Sequence, residues 1–469
     1  MDDSNIVFII VDALRTDKVG CYGHGKTITS NIDDLAREGT LFENNYACIN
    51  VTDPSLTTIF SGRYPISHGL INHGPHIRED DLRKLSESGT RFLPEILRTK
   101  GYATLAVDWL GRWHKQGYDY YSGLRPAFFR MMRMLSHRPS KIFTLIKLLY
   151  LYRKAIPELG VLYDEVITSQ AIELMKKFQK QKFFLFVHYW GTHAPYISPE
   201  NPQILESPQS EEIDLTRSLI KSVAPNREMY HLRWFDEDLT IGEILSRYEG
   251  AINFIDGQIG ELMNELDELG LRENTLVVLT SDHGESLTEH GIYFDHHGLY
   301  DVSLHVPLIF RGSGFPEDLR VSGTIQHVDI VPTILNNLNY NVRGMNLDGK
   351  DTSPLIRGEA EEFRTEVYAE EAEAQRKRAV RTRDYKYIFA PSEAAAKCQY
   401  CNCIHGEVKE LYDLRKDPQE VENILNDEKE RGKELKNKFL NWSRKLKQEK
   451  LERERIREKI GKLKKLGKI

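Results

Sequence analysis

The chain has 469 residues, 40% of them hydrophobic and 29% charged, and its 64 Lys+Arg against 70 Asp+Glu give a formal net charge of −6. Such a composition describes a soluble globular protein with a large core; at roughly 150 residues per domain the length allows about three domains, although one α/β domain often takes about 250 or more. Five Cys, an odd number in so long a chain, argue against a disulfide framework.

Met1 to Ser4 offers no basic segment and Asn5 to Val11 (NIVFIIV) runs straight into Asp12, so no secretory signal is expected there. No stretch reaches the ~18 uninterrupted apolar residues of a spanning helix. A cytoplasmic protein is the expectation. The Asn5 to Val11 run, apolar and β-branched up to an acid, reads as a strand buried on both faces of a parallel sheet. Phe183 to Val187 (FFLFV) and Thr275 to Thr280 (TLVVLT) repeat it, and Asn31 to Glu38, Asp164 to Lys177 and Arg247 to Leu269 carry apolar residues at helical spacing. Strand alternating with helix predicts a doubly wound α/β fold, with a mixed, mostly parallel sheet flanked by helices. Ligands of such sheets sit beyond the carboxyl ends of the strands, which nominates Asp12, His188 and Ser281-Asp282-His283.

Thr52, in Val51 to Pro65 (VTDPSLTTIFSGRYP), precedes a Pro placed for the first turn of a helix that ends near Gly62. Its hydroxyl is therefore either a plain N-cap or a group standing where the positive end of the helix favours an anion. A hydroxyl becomes a nucleophile when a metal lowers its pKa, and Asp12, Asp282 and His283 have the donor types for one divalent ion. The competing reading makes Asp282 a helix cap and His283 a buried imidazole. Leu110 to Lys115 (LGRWHK) places Arg112 and His114 two apart on a loop, where both can donate to a tetrahedral anion, or simply face solvent with Trp113 packed inward. His188 to Pro195 (HYWGTHAP) offers His193 as proton donor to a leaving group. Glu289 to Tyr300 (EHGIYFDHHGLY) packs His290, His296 and His297 close to Asp282-His283, a density that core packing explains poorly.

Leu124 to Pro157 carries eight Lys+Arg and no acid around the apolar Ile142 to Tyr152. This reads either as an amphipathic anchor on anionic lipid headgroups, which would make the protein peripheral to a membrane, or as an insert helix packed on the domain or at a homo-oligomer contact. From about Arg357 short strand-like pieces follow, Val367 to Ala369, Ala379 to Thr382 and Tyr385 to Phe389, then Leu411 to Leu414, a small α+β subdomain. Within it Cys398, Cys401, Cys403 and His405 supply donors for a small structural zinc site, but Cys401 and Cys403 are cramped for one ion and free loop thiols or a local disulfide fit as well. Residues 429–469 hold 17 Lys+Arg and 6 Asp+Glu, a net of +11 that leaves −17 for the rest, and predict a long, mostly solvated helix or a frayed tail. No specific nucleic-acid partner is expected from it.

In order, these pieces resemble the sulfatase branch of the alkaline phosphatase superfamily over roughly residues 4–425. Asn5 to Gly23 resembles the opening metal segment, Thr52 to Arg63 the Cys/Ser-x-Pro-Ser-Arg and Thr-Gly-Arg stretch, Gly111 to His114 the Gly-Lys-Trp-His segment, and Thr280 to Glu285 (TSDHGE) the second metal segment. His297 to Tyr300 with Val306 to Ile309, Gln326 to Leu335 and Glu410 to Asn423 resemble later ones. The resemblance implies an alkaline phosphatase-like catalytic domain over residues 1–355 with an insert at 124–157, to which the sequence pattern adds a subdomain at 356–426 and a basic helical tail at 427–469. It also implies hydrolysis of sulfate or phosphate esters with a divalent ion.

Departures from the family pattern shape the expected mechanism. Formylglycine, which sulfatases make from Cys or Ser with the help of the motif's Arg, is not expected where Thr52 and Leu56 stand, and Cys48 has no Pro two residues on. Ala13 replaces a second Asp ligand and His283 replaces an Asn, which shifts the ion from Ca²⁺ toward Mn²⁺ or Zn²⁺. A Thr nucleophile resembles phosphonate monoester hydrolases and lipoteichoic acid synthases, so phosphodiesters are the favoured substrates, lipid- or glycan-linked among them. The resemblance assigns Asp12, Thr52, Asp282 and His283 to the metal, Arg112, His114 and His297 to the anion, and His193 to the leaving group, and gives His290, His296, His327 and Asp329 no defined role. Transfer to an acceptor alcohol, or a fold kept for binding alone, are the alternatives.

Overall fold

The computed structural model describes residues 4–108, 110, 113–123, 164–196, 240–400 and 402–465, so Arg112, Cys401 and the insert 124–157 lie outside the described residues. The strands in chain order are β1 (Asn5–Val11), β2 (Thr40–Phe42), β3 (Asn45–Tyr46), β4 (Ala103–Asp108), β5 (Tyr120–Gly123), β6 (Phe183–Tyr189), β7 (Thr275–Thr280), β8 (Leu308–Arg311) and β9 (Leu319–Val321). All but β3 join one sheet in the order β5-β4-β6-β1-β7-β8-β2-β9. Only β8 runs against its neighbours; the other pairings are parallel.

Why β1 is apolar throughout is visible in its packing. Ile6, Phe8 and Ile10 enter one layer with Leu56, Ile59 and Phe60 of the helix Thr52–Ser61 and Ile334 and Leu335 of the helix Ile330–Asn337. Val7, Ile9 and Val11 enter the opposite layer with Ile252, Ile255 and Ile259 of the helix Ile241–Glu268 and with Leu174 and Met175 of the helix over 164–178. A strand covered on both faces has no polar side to alternate with. The long helix starts on a capping box in which Glu243 N–H donates to Thr240 Oγ1 at 3.2 Å.

A two-stranded pair joins β3 to β10 (Ile325–Gln326). The second, antiparallel sheet holds β11 (Val367–Glu370), β12 (Arg378–Arg381), β13 (Tyr385–Phe389) and β14 (Lys409–Asp413) in that order. It is tied to the main sheet's loops where Glu370 N–H donates to Cys48 O at 3.1 Å.

The tail forms one long helix, Lys429–Lys465, exposed over most of the residues whose burial is described, and it lays a single apolar stripe on the body. Leu435 and Phe439 are buried on Val380, Tyr387, Phe389 and Leu411, and Trp442 stacks on Tyr368 with ring centroids 4.4 Å apart. Leu446 reaches Cys48, Tyr64 and Val328, and Arg453 bonds Asn346 Oδ1 at 2.6 Å. The basic surplus masked this apolar stripe, which sits at wide helical spacing among many Lys. Phe439→Ala should cost about 3–5 kcal/mol, as for other fully buried aromatic truncations; urea unfolding followed by circular dichroism measures it. Among the described residues no helix is long and apolar enough to cross a membrane.

Candidate active site

Parallel pairing of β1 and β7 aligns Ile10 with Thr280, and two residues further on, past both strand ends, stand Asp12 and Asp282. Asp12 N–H extends the ladder to Tyr189 O at 2.9 Å. Asp282 is not a helix cap: its Oδ1 accepts from the backbone N–H of His283 at 2.9 Å and of Ala13 at 3.2 Å. Ala13 has φ 59, a left-handed conformation uncommon for a residue with a side chain, and Tyr248 Oη donates to its carbonyl at 2.7 Å. A Cβ on Gly284 would lie 2.1 Å from Val302 O, so only glycine lets the chain turn after His283. Thr52 is the first helical residue rather than the N-cap, which is Val51, and makes no capping bond. Ser55 Oγ, one turn on, donates to Asp282 O at 2.6 Å and pins the helix to the β7 loop.

These placements bring Thr52, Asp12, Asp282 and His283 together, each at most 2% exposed. His283 Nε2 is 3.3 Å from Thr52 Oγ1, 3.3 Å from Asp282 Oδ2 and 3.7 Å from Asp12 Oδ1. Its Nδ1 donates to Gly284 O at 2.9 Å and burial drives its pKa down to about 3, so the Nε2 lone pair faces two carboxylates. Both Asp12 oxygens and Asp282 Oδ2 are buried without a hydrogen-bond partner among the described residues. Burial, and then the Asp282 charge, raises the Asp12 carboxyl far above its usual range; burial also raises Asp282. Acceptors short of donors and converging on one point fit a divalent cation.

Imidazoles line one side of this cluster. The His296 ring lies 4.4 Å from that of His283 and 5.7 Å from that of His193. His296, given no role above, is thus the ring against the cluster, while His297 turns its Nε2 to Asp295 Oδ1 (3.2 Å) and stacks on Tyr400. His193 Nδ1 is 2.8 Å from Ala194 O, and burial lowers its pKa. His114 is buried, not solvated, with Nε2 3.0 Å from Asp108 Oδ2, and His188 Nδ1 is 2.8 Å from the other oxygen. Burial alone would raise Asp108, but bonds from the two rings outweigh it and hold it below the usual range. Trp113 Nε1 donates to Thr57 Oγ1 at 3.1 Å, tying that loop to the Thr52 helix. Beside Thr52, Asp53 Oδ2 is 2.9 Å from His73 Nδ1, and His73 N–H donates to Glu373 at 3.4 Å.

Other candidates fall elsewhere. His290 stacks on Tyr300 at 3.5 Å, and Asp329 is taken by Arg364 and by the N–H groups of Gln326 and Lys350, both structural. His327 Nδ1 is 3.3 Å from Ser55 Oγ. Cys398 and Cys403 are joined through the backbone, Cys398 N–H donating to Cys403 O at 2.8 Å. Asp108, Asp295, Glu371 and His73 escaped sequence reading. Asp108 had a signal, since it ends the apolar Ala103–Asp108 strand just as Asp12 follows β1.

Comparison with known proteins agrees with this architecture. Residues 4–340 match the family Sulfatase, and residues 288–448 match the family N-sulphoglucosamine sulphohydrolase, C-terminal. The uncharacterized sulfatase YidJ of Escherichia coli strain K12 is 28% identical over 364 residues, 71% of this chain and 68% of that one. N-acetylglucosamine-6-O-sulfatase of Bacteroides thetaiotaomicron is 25% identical over 90% of this chain and 82% of its own length. Mouse iduronate 2-sulfatase is 27% identical, and the match spans 69% of this chain and 62% of that protein. In fold, the chain is similar to the phosphonate monoester hydrolase of Agrobacterium radiobacter (TM-score 0.66, 20% identity, 95% of this chain and 96% of that one). A structure in complex with D-glucosamine-2-N,6-O-disulfate is as similar (TM-score 0.67, 20% identity, 95% and 98% covered). The chain belongs to the sulfatase family and is an ester hydrolase.

Proposed function

We propose that the protein cleaves sulfate or phosphate esters, phosphodiesters in preference, with Thr52 as nucleophile beside one divalent ion. The observation that carries this reading is the convergence of Thr52 Oγ1 with the unpartnered oxygens of Asp12 and Asp282 on the His283 lone pair. An ion on Asp12, Asp282 and His283, Mn²⁺ or Zn²⁺ before Ca²⁺, would lower the pKa of the Thr52 hydroxyl and neutralise charge on the ester oxygens. Leu56 supports an unmodified Thr: fully buried in an apolar layer on one face of the sheet, it supplies no basic group of the kind the modification motif uses.

The remaining residues follow from their positions. The Thr52 oxygen attacks phosphorus or sulfur; an entering anionic ester raises the pKa of His193, which then holds a proton for the departing alcohol. Asp108 fixes the His114 and His188 rings, and Arg112 and His114 complete the anion contacts carried over from the family. A sulfated amino sugar is the second reading, favoured by the similarity to N-acetylglucosamine-6-O-sulfatase and to the glucosamine disulfate complex. We place the protein in the cytoplasm, with residues 124–157 either packed on the domain or at a homo-oligomer contact, or set against anionic lipid.

Turnover of an aryl phosphodiester and an aryl sulfate by the purified chain in Mn²⁺, Zn²⁺ or Ca²⁺ separates the two readings. Phosphodiester turnover should exceed sulfate turnover at least tenfold in kcat/KM, a difference of about 1.4 kcal/mol in transition-state binding. A reversed order would make the protein a sulfatase that works from Thr52.

A further inference from the structure

The tail helix sets its cations on a part of the body that already holds a buried one. Lys450 reaches over the turn at Gly69, where a Cβ would lie 3.4 Å from its Nζ, and Arg457 covers Gly89, where a Cβ would overlap its Nη2. Arg457 donates to Ser88 O at 2.6 Å and to Glu87 O, so its guanidinium is seated on carbonyls and not neutralised. Close to both lies Arg63, 1% exposed. Its acceptors are all uncharged: Thr90 Oγ1 at 2.6 Å, Ser67 O at 3.1 Å, Ser88 Oγ at 3.3 Å and Ser88 O at 3.4 Å. Its Nε is buried without a hydrogen-bond partner among the described residues.

The acids of this junction are engaged by other groups. Asp348 accepts from Arg453 at 3.2 Å and from Tyr64 N–H at 3.0 Å, Glu449 stands 3.7 Å from Arg453, and Asp80 pairs with Lys84 at 2.5 Å. Glu454 acts on Arg63 and Lys450 through its charge, with no ion pair to either among the described residues. Burial brings the Arg63 guanidinium down from 12.5 to about 10; Asp348 and Glu454 oppose the fall, and Arg453 and Arg457 add to it. Burial also lowers the Lys450 amine, and Arg63 and Lys84 lower it further. His68, whose Nδ1 accepts from Leu70 N–H at 3.1 Å, is held neutral by burial and by the same Arg63 and Lys450. A buried cation among neutral acceptors, facing two more cations with no acid paired to them, is an interface short of an anion.

A sulfate or phosphate group meets this surplus: it carries two charges, and its oxygens accept from an ammonium and a guanidinium at once. We propose that the junction of tail and body binds one such tetrahedral dianion, with Lys450 and Arg457 making the contacts and Arg63 supplying charge behind them. The Thr52 helix has 10 residues, a length of about 15 Å, and Arg63 follows its far end, so this anion is remote from the ester site. Its binding is independent of the Thr52 reading. Because Lys450 and Arg457 belong to the tail and Arg63 to the body, the bound anion ties the two together. An anion of the kind that ester cleavage releases thus becomes a ligand that stabilises the enzyme.

Equilibrium dialysis of the full chain against radiolabelled sulfate, at constant ionic strength in chloride, tests this. A chelator is present throughout, so that no metal holds anion at the ester site. One saturable sulfate per chain is expected, displaced by inorganic phosphate; if methyl phosphate displaces it better, the group is bound as an ester. Lys450→Met and Arg457→Met, both outside the catalytic machinery, should each weaken uptake about tenfold or more, the loss of one charged hydrogen bond. Thr52→Ala should leave it unchanged. Without sulfate, Lys450→Met should melt no lower than the wild type, since it sheds a repelled charge. With sulfate, the wild type should gain more in melting temperature than either variant, all three sharing sulfate's general salting effect. No saturable uptake, or uptake that both variants keep, leaves an adventitious ion only and overturns the site. Uptake lost in Thr52→Ala and kept in Lys450→Met places the anion at the ester site and overturns it as well.

Discussion

Thr52→Ala should abolish ester turnover while leaving the fold intact. If the Thr52 oxygen forms the bond to phosphorus or sulfur, nothing nearby replaces it: the adjacent hydroxyls are committed, Ser55 to Asp282 O and Thr57 to Asp53 O. Removing a nucleophile that acts with its neighbours as a unit costs on the order of 10⁴–10⁶ in kcat. The structural cost is small, because Val51 is the N-cap and Thr52 makes no capping bond. Ala is also the better helix former, so stability should move by less than about 1 kcal/mol. Initial rates with the aryl phosphodiester, beside a thermal melt, check both halves, and Thr52→Ser, which keeps a hydroxyl, should retain part of the rate. Undiminished turnover by Thr52→Ala would remove the covalent scheme and point to direct attack by water.

Much of the fold was legible because burial on both faces writes itself into a strand as uninterrupted apolar sequence. Asn5–Val11 and Thr275–Thr280 are such strands, and the observed bounds coincide with the expected ones. Beyond β8, towards one edge of the sheet, β2 and β9 are three residues each and carry no period that sequence could show. The tail helix was expected, but its buried stripe was not, for a related reason. Leu435, Phe439, Trp442 and Leu446 recur every three or four residues, but they stand among so many Lys and Arg that the segment reads as polar all round.

In the site, residues adjacent to strand ends were found and residues brought in by tertiary contact were not. Asp12, Thr52, Asp282 and His283 sit in short recognisable segments, and the structure gathers them. Glu371 belongs to the small second sheet's loop, more than 70 residues from His297, and only folding of that sheet against the main one joins them. His296 and His297 are adjacent in sequence, and which of them faces His283 depends on a backbone turn pinned by Asn50. Spacing alone does not distinguish them.

Chelation should remove activity and lower thermal stability, and the stability loss should grow with pH. Without an ion, Asp12 and Asp282 are buried acceptors with raised pKa values, from the ordinary 3.8. A carboxyl that holds its proton more tightly in the folded state than in the unfolded one favours folding below its unfolded pKa. That contribution is lost as pH rises through the folded pKa, where folding requires a charge to be buried or a proton to be kept at increasing cost. Glu285, raised by burial and by Asp295, pushes the same way. A bound ion reverses the sign for Asp12 and Asp282, because it needs both as carboxylates, and its affinity rises as they ionise. At an ion concentration about 100 times Kd the stabilisation is about 2.7 kcal/mol. The gap in melting temperature between loaded and chelated protein should therefore widen from about pH 5 to about pH 8. In Asp282→Asn, which removes one of the raised acids together with a ligand of the ion, that widening should shrink. A gap independent of pH in the wild type would mean that these carboxylates do not hold the ion.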